Sequence, residues 1–165
     1  MSGGALFFVV AIVFVVGFLV VMLPIVALVN RSIGSVYEQR AAALGRYLQN
    51  EGVRFAEDDV RVRGSWIAPF AVAIRWSQAD VRVTTRAIYL LQHTRMFGMR
   101  IGKPILAFPL RGAQLDPYVA SIVTLGWLES IETNDAANIA GTLAVQRFSM
   151  RIAVRDVAGF ARATA

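Results

Sequence analysis

The sequence predicts an α+β protein in which a single N-terminal transmembrane helix precedes a small antiparallel β-barrel or bent sheet. This sheet has six to seven strands and is closed by a short C-terminal helix. Three features predict the fold: an uncharged apolar run near the N-terminus, apolar residues at helical spacing after it, and apolar–polar alternation from residue 53 onward. The predicted domains are a membrane anchor at 1–30, a juxtamembrane amphipathic helix at 31–52 and a cytoplasmic domain at 53–165.

The anchor is predicted from Ala5 to Val29, 25 residues that include no charged side chain and no Asn, Gln or His. A helix of about 20 apolar residues is long enough to cross a hydrocarbon core of about 30 Å. The alternative is a cleaved secretory signal, which has basic residues before an apolar core of roughly 7 to 15 residues. Residues 1–4 carry no Lys or Arg, and the apolar run is too long. A retained single-pass anchor is therefore predicted.

Charge predicts the orientation and the compartment. Arg31, Arg40 and Arg46 follow the apolar run, whereas no basic side chain precedes it, so the positive-inside rule places the C-terminal domain in the cytoplasm and the N-terminus outside. Of 17 basic residues only Lys103 is a lysine, a composition typical of GC-rich bacterial genomes. The predicted location is the bacterial inner membrane.

The net charge of +6 favours an anionic cytoplasmic leaflet or an acidic protein surface as the partner. The predicted partners are membrane lipids and the subunits of an integral membrane protein complex. Nucleic acid is not expected, because a tether restricts access and no binding motif is present. The chain has no cysteine and one histidine, His93, so a His/Cys metal site or a Cys–His pair cannot form within one chain. No enzymatic activity, cofactor, metal or small-molecule substrate is expected.

The predicted juxtamembrane helix has one apolar stripe and ends before Gly52, a residue typical of helix C-terminal caps. Two placements remain open: the stripe packs on the following domain, or the helix lies in the membrane interface with its arginines toward head groups. The stripe consists of Ile33, Val36, Tyr37, Ala41, Leu44, Tyr47 and Leu48.

The strand region begins with a predicted hairpin whose turn is Glu57-Asp58-Asp59. This acidic run is interpreted as a solvated turn, with a weak divalent-cation site as the alternative, and His93 as a polar residue in a loop or at a strand end. Further strands are predicted at 70–76, 79–84, 87–92, 105–110, 119–127, 128–132, 143–147 and 148–154.

Several local signals in this region predict where strands and helices begin or end. Thr84 to Arg86 predicts a tight turn, and Pro109 predicts a strand end or edge. Phe148 to Val154 alternates cleanly between apolar and polar residues. Asp156 is then predicted to cap a short helix that carries Phe160.

The stretch from Ala79 to Leu91, the basic hairpin after it and Phe108-Pro109-Leu110-Arg111-Gly112-Ala113 resemble the bacterial pleckstrin-homology (PH) or GRAM-like pattern. In that pattern a "V-T-x-x-R-L-hydrophobic" strand leads to an "I-P-L-x-x-I" strand. Phe148 to Ala165 is similar to the end of the pattern, and the resemblance covers roughly 53–165. It implies a binding and scaffolding module, often tethered to membranes in bacteria and without catalysis. The closing helix is shorter than is usual in the family.

The predicted binding site is the basic loop, in which cations alternate with apolar side chains. A phosphate-binding loop is rejected for Gly98 to Pro104, because three residues instead of four separate its glycines and Pro follows the Lys. Cations beside apolar tips suit either a bilayer surface or another protein. The predicted partner- or lipid-binding residues are Arg95, Met96, Phe97, Met99, Arg100, Lys103 and Arg111.

These features together predict a non-enzymatic accessory subunit whose helix and PH-like domain pack against a larger membrane complex, either respiratory, photosynthetic, secretory or transport-related. Two alternatives remain open: a sensor of anionic lipids that uses the basic loop, and an assembly factor that leaves the complex once it is formed.

Overall fold

The fold was analysed in a computed structural model. It describes residues 3–66, 77–96, 99–143 and 145–165, and within these ranges the side chains at 3–7, 9, 23, 25–37, 65–66, 94–96 and 99–103 are not described. The predicted strand at 70–76 lies outside the described residues. The chain divides into two compact units, Met1–Val36 and Tyr37–Ala165.

The first helix, α1, runs from Gly3 to Glu51 and includes Pro24. It covers both helical segments that the sequence predicts. The helix ends where expected, because Gly52 adopts a left-handed φ of 79° and donates its N–H to the Leu48 carbonyl at 3.3 Å. Among the residues described, no helix is both long enough and apolar enough to cross a membrane.

Seven strands form a closed barrel, which confirms the predicted α+β fold with a small barrel. Neighbouring strands are antiparallel, including the closing pair of the first and last strands, except for the parallel pair β4–β5. The strands are β1 (Phe55–Trp66), β2 (Ser77–Val83), β3 (Ala87–Met96), β4 (Met99–Pro109), β5 (Thr124–Thr133), β6 (Ala137–Leu143) and β7 (Gln146–Ala153).

The barrel interior is filled by apolar side chains that alternate along each strand, as period-two patterning requires. In β7, for example, Phe148, Met150 and Ile152 are buried while their neighbours are exposed. The predicted alternation of this strand is confirmed. Such filling makes the interior a packed core rather than a binding chamber.

A second apolar cluster lies on the outer face of β3 and β4. Leu44 and Leu48 of α1 are buried there together with Tyr89 and Ile105 of the strands. A short helix, α2 (Pro117–Ile122), contributes the buried Val119 to the same cluster. The apolar stripe of the juxtamembrane segment therefore packs on the domain over its last turns, which is the first of the two predicted placements.

The last helix, α3 (Val157–Thr164), covers part of the barrel as predicted. Asp156 caps it by accepting a hydrogen bond from the Gly159 N–H at 2.7 Å. Phe160 is fully buried and meets the ring of Phe55 edge-on, with 5.5 Å between centroids. The helix contacts β1, β2, β5 and β6, so it bridges two parts of the barrel wall.

Two strand predictions are wrong. The segment predicted as a strand at 119–127 begins as α2, because the Asp116 carboxylate accepts the Tyr118 N–H at 2.8 Å and Pro117 occupies the first helical position. The segment predicted as a strand at 143–147 contains the turn between β6 and β7, whose last pair is Leu143 with Gln146. The predicted tight turn at Thr84 and the strand end at Pro109 are confirmed.

Candidate functional site

The predicted binding loop is the β3–β4 hairpin. Arg95 pairs with Arg100 and Met96 with Met99 across the two strands. Lys103 follows in β4, and Phe97 lies outside the described residues. The predicted basic hairpin is thus confirmed, but residues 99–104, which were predicted to form its turn, lie in β4. Binding by these side chains stays a prediction.

Arg111 does not belong to the same surface. It follows the end of β4, in a turn where its own φ is 52°, and its side chain is exposed. The chain advances eight positions from Lys103 to Arg111, mostly along β4, which is a distance of roughly 25 Å at about 3.3 Å per residue. The structure therefore places Arg111 at the opposite end of the strand from the hairpin tip.

His93 was wrongly predicted as a loop or strand-end residue, since it lies inside β3 and its side chain is fully buried. Its Nε2 is 3.0 Å from Oδ1 of Asp59, and its Nδ1 is 3.5 Å from the Leu91 carbonyl oxygen. Two acceptors thus face the two ring nitrogens.

Asp59 belongs to a β-bulge, so the prediction of a hairpin turn at Glu57 to Asp59 is also wrong. The register of β1 against β2 shifts between Glu57 and Val60, and Asp59 has a φ of 56°, a conformation that Asp adopts more readily than most residues. The Asp59 N–H donates to Oδ1 of Asp80 at 3.0 Å. The acidic run therefore interrupts one long strand without reversing the chain.

Chemically, the buried histidine and the two aspartates form a compact polar group. One donor atom from each of Asp59, Asp80 and His93 lies within 4.8 Å of the others, and these atom types are ones that divalent metals accept. Both aspartates make further polar or electrostatic contacts, and the histidine is within hydrogen-bonding distance of one of them. The geometry is that of a hydrogen-bonded network that secures the bulge against β2 and β3.

The other two acidic residues of the bulge accept hydrogen bonds from arginine residues. Asp58 accepts Nη2 of Arg82 at 2.5 Å, and the Glu57 carboxylate accepts the backbone N–H of Arg155 at 3.0 Å. The second contact joins β1 to the segment that leads into α3. The acidic run is therefore satisfied by this chain's own donors, which agrees with a structural role.

A second polar cluster surrounds Glu51 at the end of α1. Its carboxylate, 7% exposed, lies 3.4 Å from the hydroxyls of Tyr47 and Tyr89 and 3.8 Å from Nε of Arg86. Burial, and next the nearby Glu51 charge, raises the pKa of both phenols above the ordinary value. The tyrosines therefore keep their protons, and donate to the carboxylate, at neutral pH.

The sequence did not predict either polar cluster. Asp59 and His93 are 34 residues apart, and Glu51 and Tyr89 are 38 residues apart, so only the strand pairing brings them together. The one local indication of the cluster around His93 was the presence of a single histidine in an apolar segment. Comparison with known proteins adds no assignment, because no family model, no curated protein and no solved structure matches this chain.

Proposed function

We propose that this protein is a non-enzymatic, single-pass protein of the bacterial inner membrane that serves as an accessory subunit of a larger membrane complex. In this proposal the N-terminal apolar run crosses the bilayer with its N-terminus outside. The barrel lies on the cytoplasmic side as a PH-like scaffolding module.

One observation carries the proposal: the side chains of residues 10–22 in α1 are all exposed. Apart from Ala11 and Gly17 they are large and hydrophobic, and their exposed fractions range from 39% for Met22 to 77% for Phe14. Thirteen consecutive helical residues cover every direction around the helix axis. A helix that is apolar all round is stable only inside a large protein core or a membrane, and the 25 uncharged residues from Ala5 to Val29 in the sequence favour the membrane.

The barrel supports a binding role on its outer surface. Its interior is filled by buried apolar side chains of six strands and α3, and the partly buried Leu128 and Ile131 of β5 pack against them. The two polar clusters are satisfied within the chain, at the bulge and at the end of α1. A scaffold needs such a rigid body, and it leaves partner recognition to the outward-facing side chains.

The order of the elements supports a PH-like module. Seven strands precede one C-terminal helix, in agreement with the pattern expected from the sequence resemblance. The parallel β4–β5 pair, joined through α2, is a feature that the resemblance did not predict.

Two linked measurements test the proposal. Extraction of native membranes at alkaline pH should leave the full-length chain in the pellet, and Val15→Arg together with Phe18→Arg should release it, because each charge at a helix centre costs about 2.5 to 3.5 kcal/mol to insert. Mild-detergent extracts should then show the wild-type chain in a native-gel band of fixed stoichiometry with other subunits. Release of the wild-type chain by alkali would disprove the anchor, and migration of the chain alone or only with lipid would disprove the subunit role.

A further inference from the structure

An exposed tryptophan lies where the apolar cover of the barrel ends. Trp127 in β5 is 60% exposed. Two residues earlier on the same face of this strand, Leu125 packs against the cluster that α1 and α2 cover. The outer apolar layer of β3, β4 and β5 therefore continues to Trp127, and no described residue buries this ring.

Positive charge extends from this ring across the neighbouring strands. Trp127 is opposite Thr142 of β6, which is opposite Arg147 of β7. Farther along β7, Arg151 is directly opposite Arg63 of β1. We call the outward-facing surface that contains Trp127, Thr142, Arg147 and Arg151 the Trp127 face.

Only part of this charge is balanced within the chain. Arg151 forms an ion pair with Asp135, and Arg63 has a polar or electrostatic contact of its own. Arg147 is exposed and has no carboxylate at ion-pair distance among the described residues. Tryptophan and arginine are two of the residue types that are enriched at the energetic centres of protein interfaces.

We propose that the Trp127 face is the surface through which this protein binds a neighbouring protein subunit. The subunit would offer an apolar pocket to the indole ring and a carboxylate to Arg147. This inference rests on the proposed accessory-subunit function and names the surface that such a subunit would use.

The charge pattern favours a protein partner over a lipid surface. Glu129 and Glu132 of β5 are exposed on the same strand as the ring, and Glu129 accepts the hydroxyl of Thr142, the residue between Trp127 and Arg147, at 3.2 Å. The face therefore carries carboxylates among its arginines. An anionic leaflet would attract the arginines but repel these carboxylates, whereas a protein can match both signs.

The experiment compares face variants with matched controls in native membranes. Trp127→Ala and Arg147→Glu change the face, whereas Tyr118→Ala on α2 and Arg162→Glu on α3 change exposed side chains of the same types elsewhere. The amount of the native-gel complex is measured against chain concentration for each variant. Unchanged urea-unfolding midpoints verify that each full-length variant is folded.

We expect Trp127→Ala and Arg147→Glu each to weaken association at least about tenfold, as truncation of an interface hot spot does, and both controls to bind as the wild type does. A photo-crosslinking residue at position 127 should then label one subunit of that complex, and the same residue at position 162 should not.

Other outcomes separate the two proposals. Wild-type affinity in both face variants, with the complex intact, would overturn the proposed binding role of the Trp127 face but would not contradict the subunit role. Loss of binding to phosphatidylglycerol vesicles in the face variants, with an unchanged complex, would assign the face to lipid and also overturn the inference. A wild-type chain that never enters a complex would contradict the subunit role itself.

Discussion

The Tyr89 hydroxyl donates a hydrogen bond to Oε2 of Glu51 at 3.4 Å and so joins the third strand of the barrel to the last turn of α1. The Tyr47 hydroxyl reaches the other oxygen of the same carboxylate. A carboxylate that is only 7% exposed thus has donors from the helix and from the sheet. These contacts hold the end of α1 on β3.

Replacement of this carboxylate should destabilise the domain. Glu51→Ala leaves two part-buried hydroxyls without their acceptor, and a loss of about 1 to 3 kcal/mol in the free energy of unfolding is expected. Urea unfolding of the detergent-solubilised full chain measures it. Glu38→Ala, at an exposed position of the same helix, is the matched control and should change stability by less than about 0.5 kcal/mol. Equal effects of the two substitutions would contradict the role of Glu51.

The same cluster predicts a decline of stability at alkaline pH. The pKa values of Tyr47 and Tyr89 are raised in the folded protein, so as the pH rises above about 10 the unfolded chain loses these protons first. The folded state then binds more protons, and the free energy of unfolding falls with rising pH. Below that pH the contribution is fully present. Tyr89→Phe should make the decline between pH 10 and 12 shallower, and an unchanged slope would refute the assignment.

The buried histidine should depend on one aspartate of the acidic run. Asp59→Asn removes the charge beside His93 while it keeps a side chain that tolerates the left-handed conformation, and a loss of about 1 to 3 kcal/mol is expected. Asp58→Asn is the control, because the side chain of Asp58 is 63% exposed and its ion pair contributes little. Hydrogen exchange of the β1 and β3 amides would locate the loosened region. A larger effect at position 58 would contradict the network.

The turn between β6 and β7 stores backbone strain. Val145 has a φ of 65° and is 97% exposed, so a β-branched residue occupies the left-handed region with no burial to offset the strain. Val145→Gly should stabilise the protein by about 1 kcal/mol. The reciprocal change Gly112→Ala, at a glycine with a φ of 71° and open space around it, should cost about 1 kcal/mol. Thermal unfolding of both variants measures the two changes in stability. If Val145→Gly destabilised the protein, the proposed backbone strain at Val145 would be refuted.

Close strand contact at Gly141 should make this position intolerant of any side chain. A Cβ atom there would clash with the backbone carbonyl of Trp127, and backbone in a paired strand cannot move aside cheaply. Gly141→Ala should therefore cost more than about 2 kcal/mol or prevent folding. Gly45→Ala in α1, where nothing lies within 4 Å, should instead stabilise the helix by up to about 1 kcal/mol. Comparable stability of the two variants would contradict the predicted clash.

Local patterning was enough to predict much of the fold. The alternation of Phe148 to Val154, the Asp156 cap and the Gly52 helix end each depend on neighbouring residues, and each was confirmed. The wrong predictions arose where two local signals competed. The apolar residues after Val119 suggested a strand, but the Asp116–Pro117 start signal produced α2.

The polar clusters could not be predicted, because they depend on contacts between residues that are distant in sequence. The bulge at Asp59 depends on how β1 pairs with β2, and the burial of His93 depends on closure of the barrel. The sequence identified the basic hairpin by composition alone and grouped Arg111 with it. In the structure the hairpin tip and Arg111 lie at opposite ends of β4, because residues that are close in sequence are far apart in space along an extended strand.

The pairing of β1 with β7 has a consequence for biosynthesis. The first strand leaves the ribosome well before its partner, because five strands lie between β1 and β7 in the chain, so the barrel cannot close until β7 has been made. Until then both terminal strands present unpaired backbone groups that invite misassociation. In this open state, a nascent barrel on the same polysome is the nearest wrong partner for the unpaired strands.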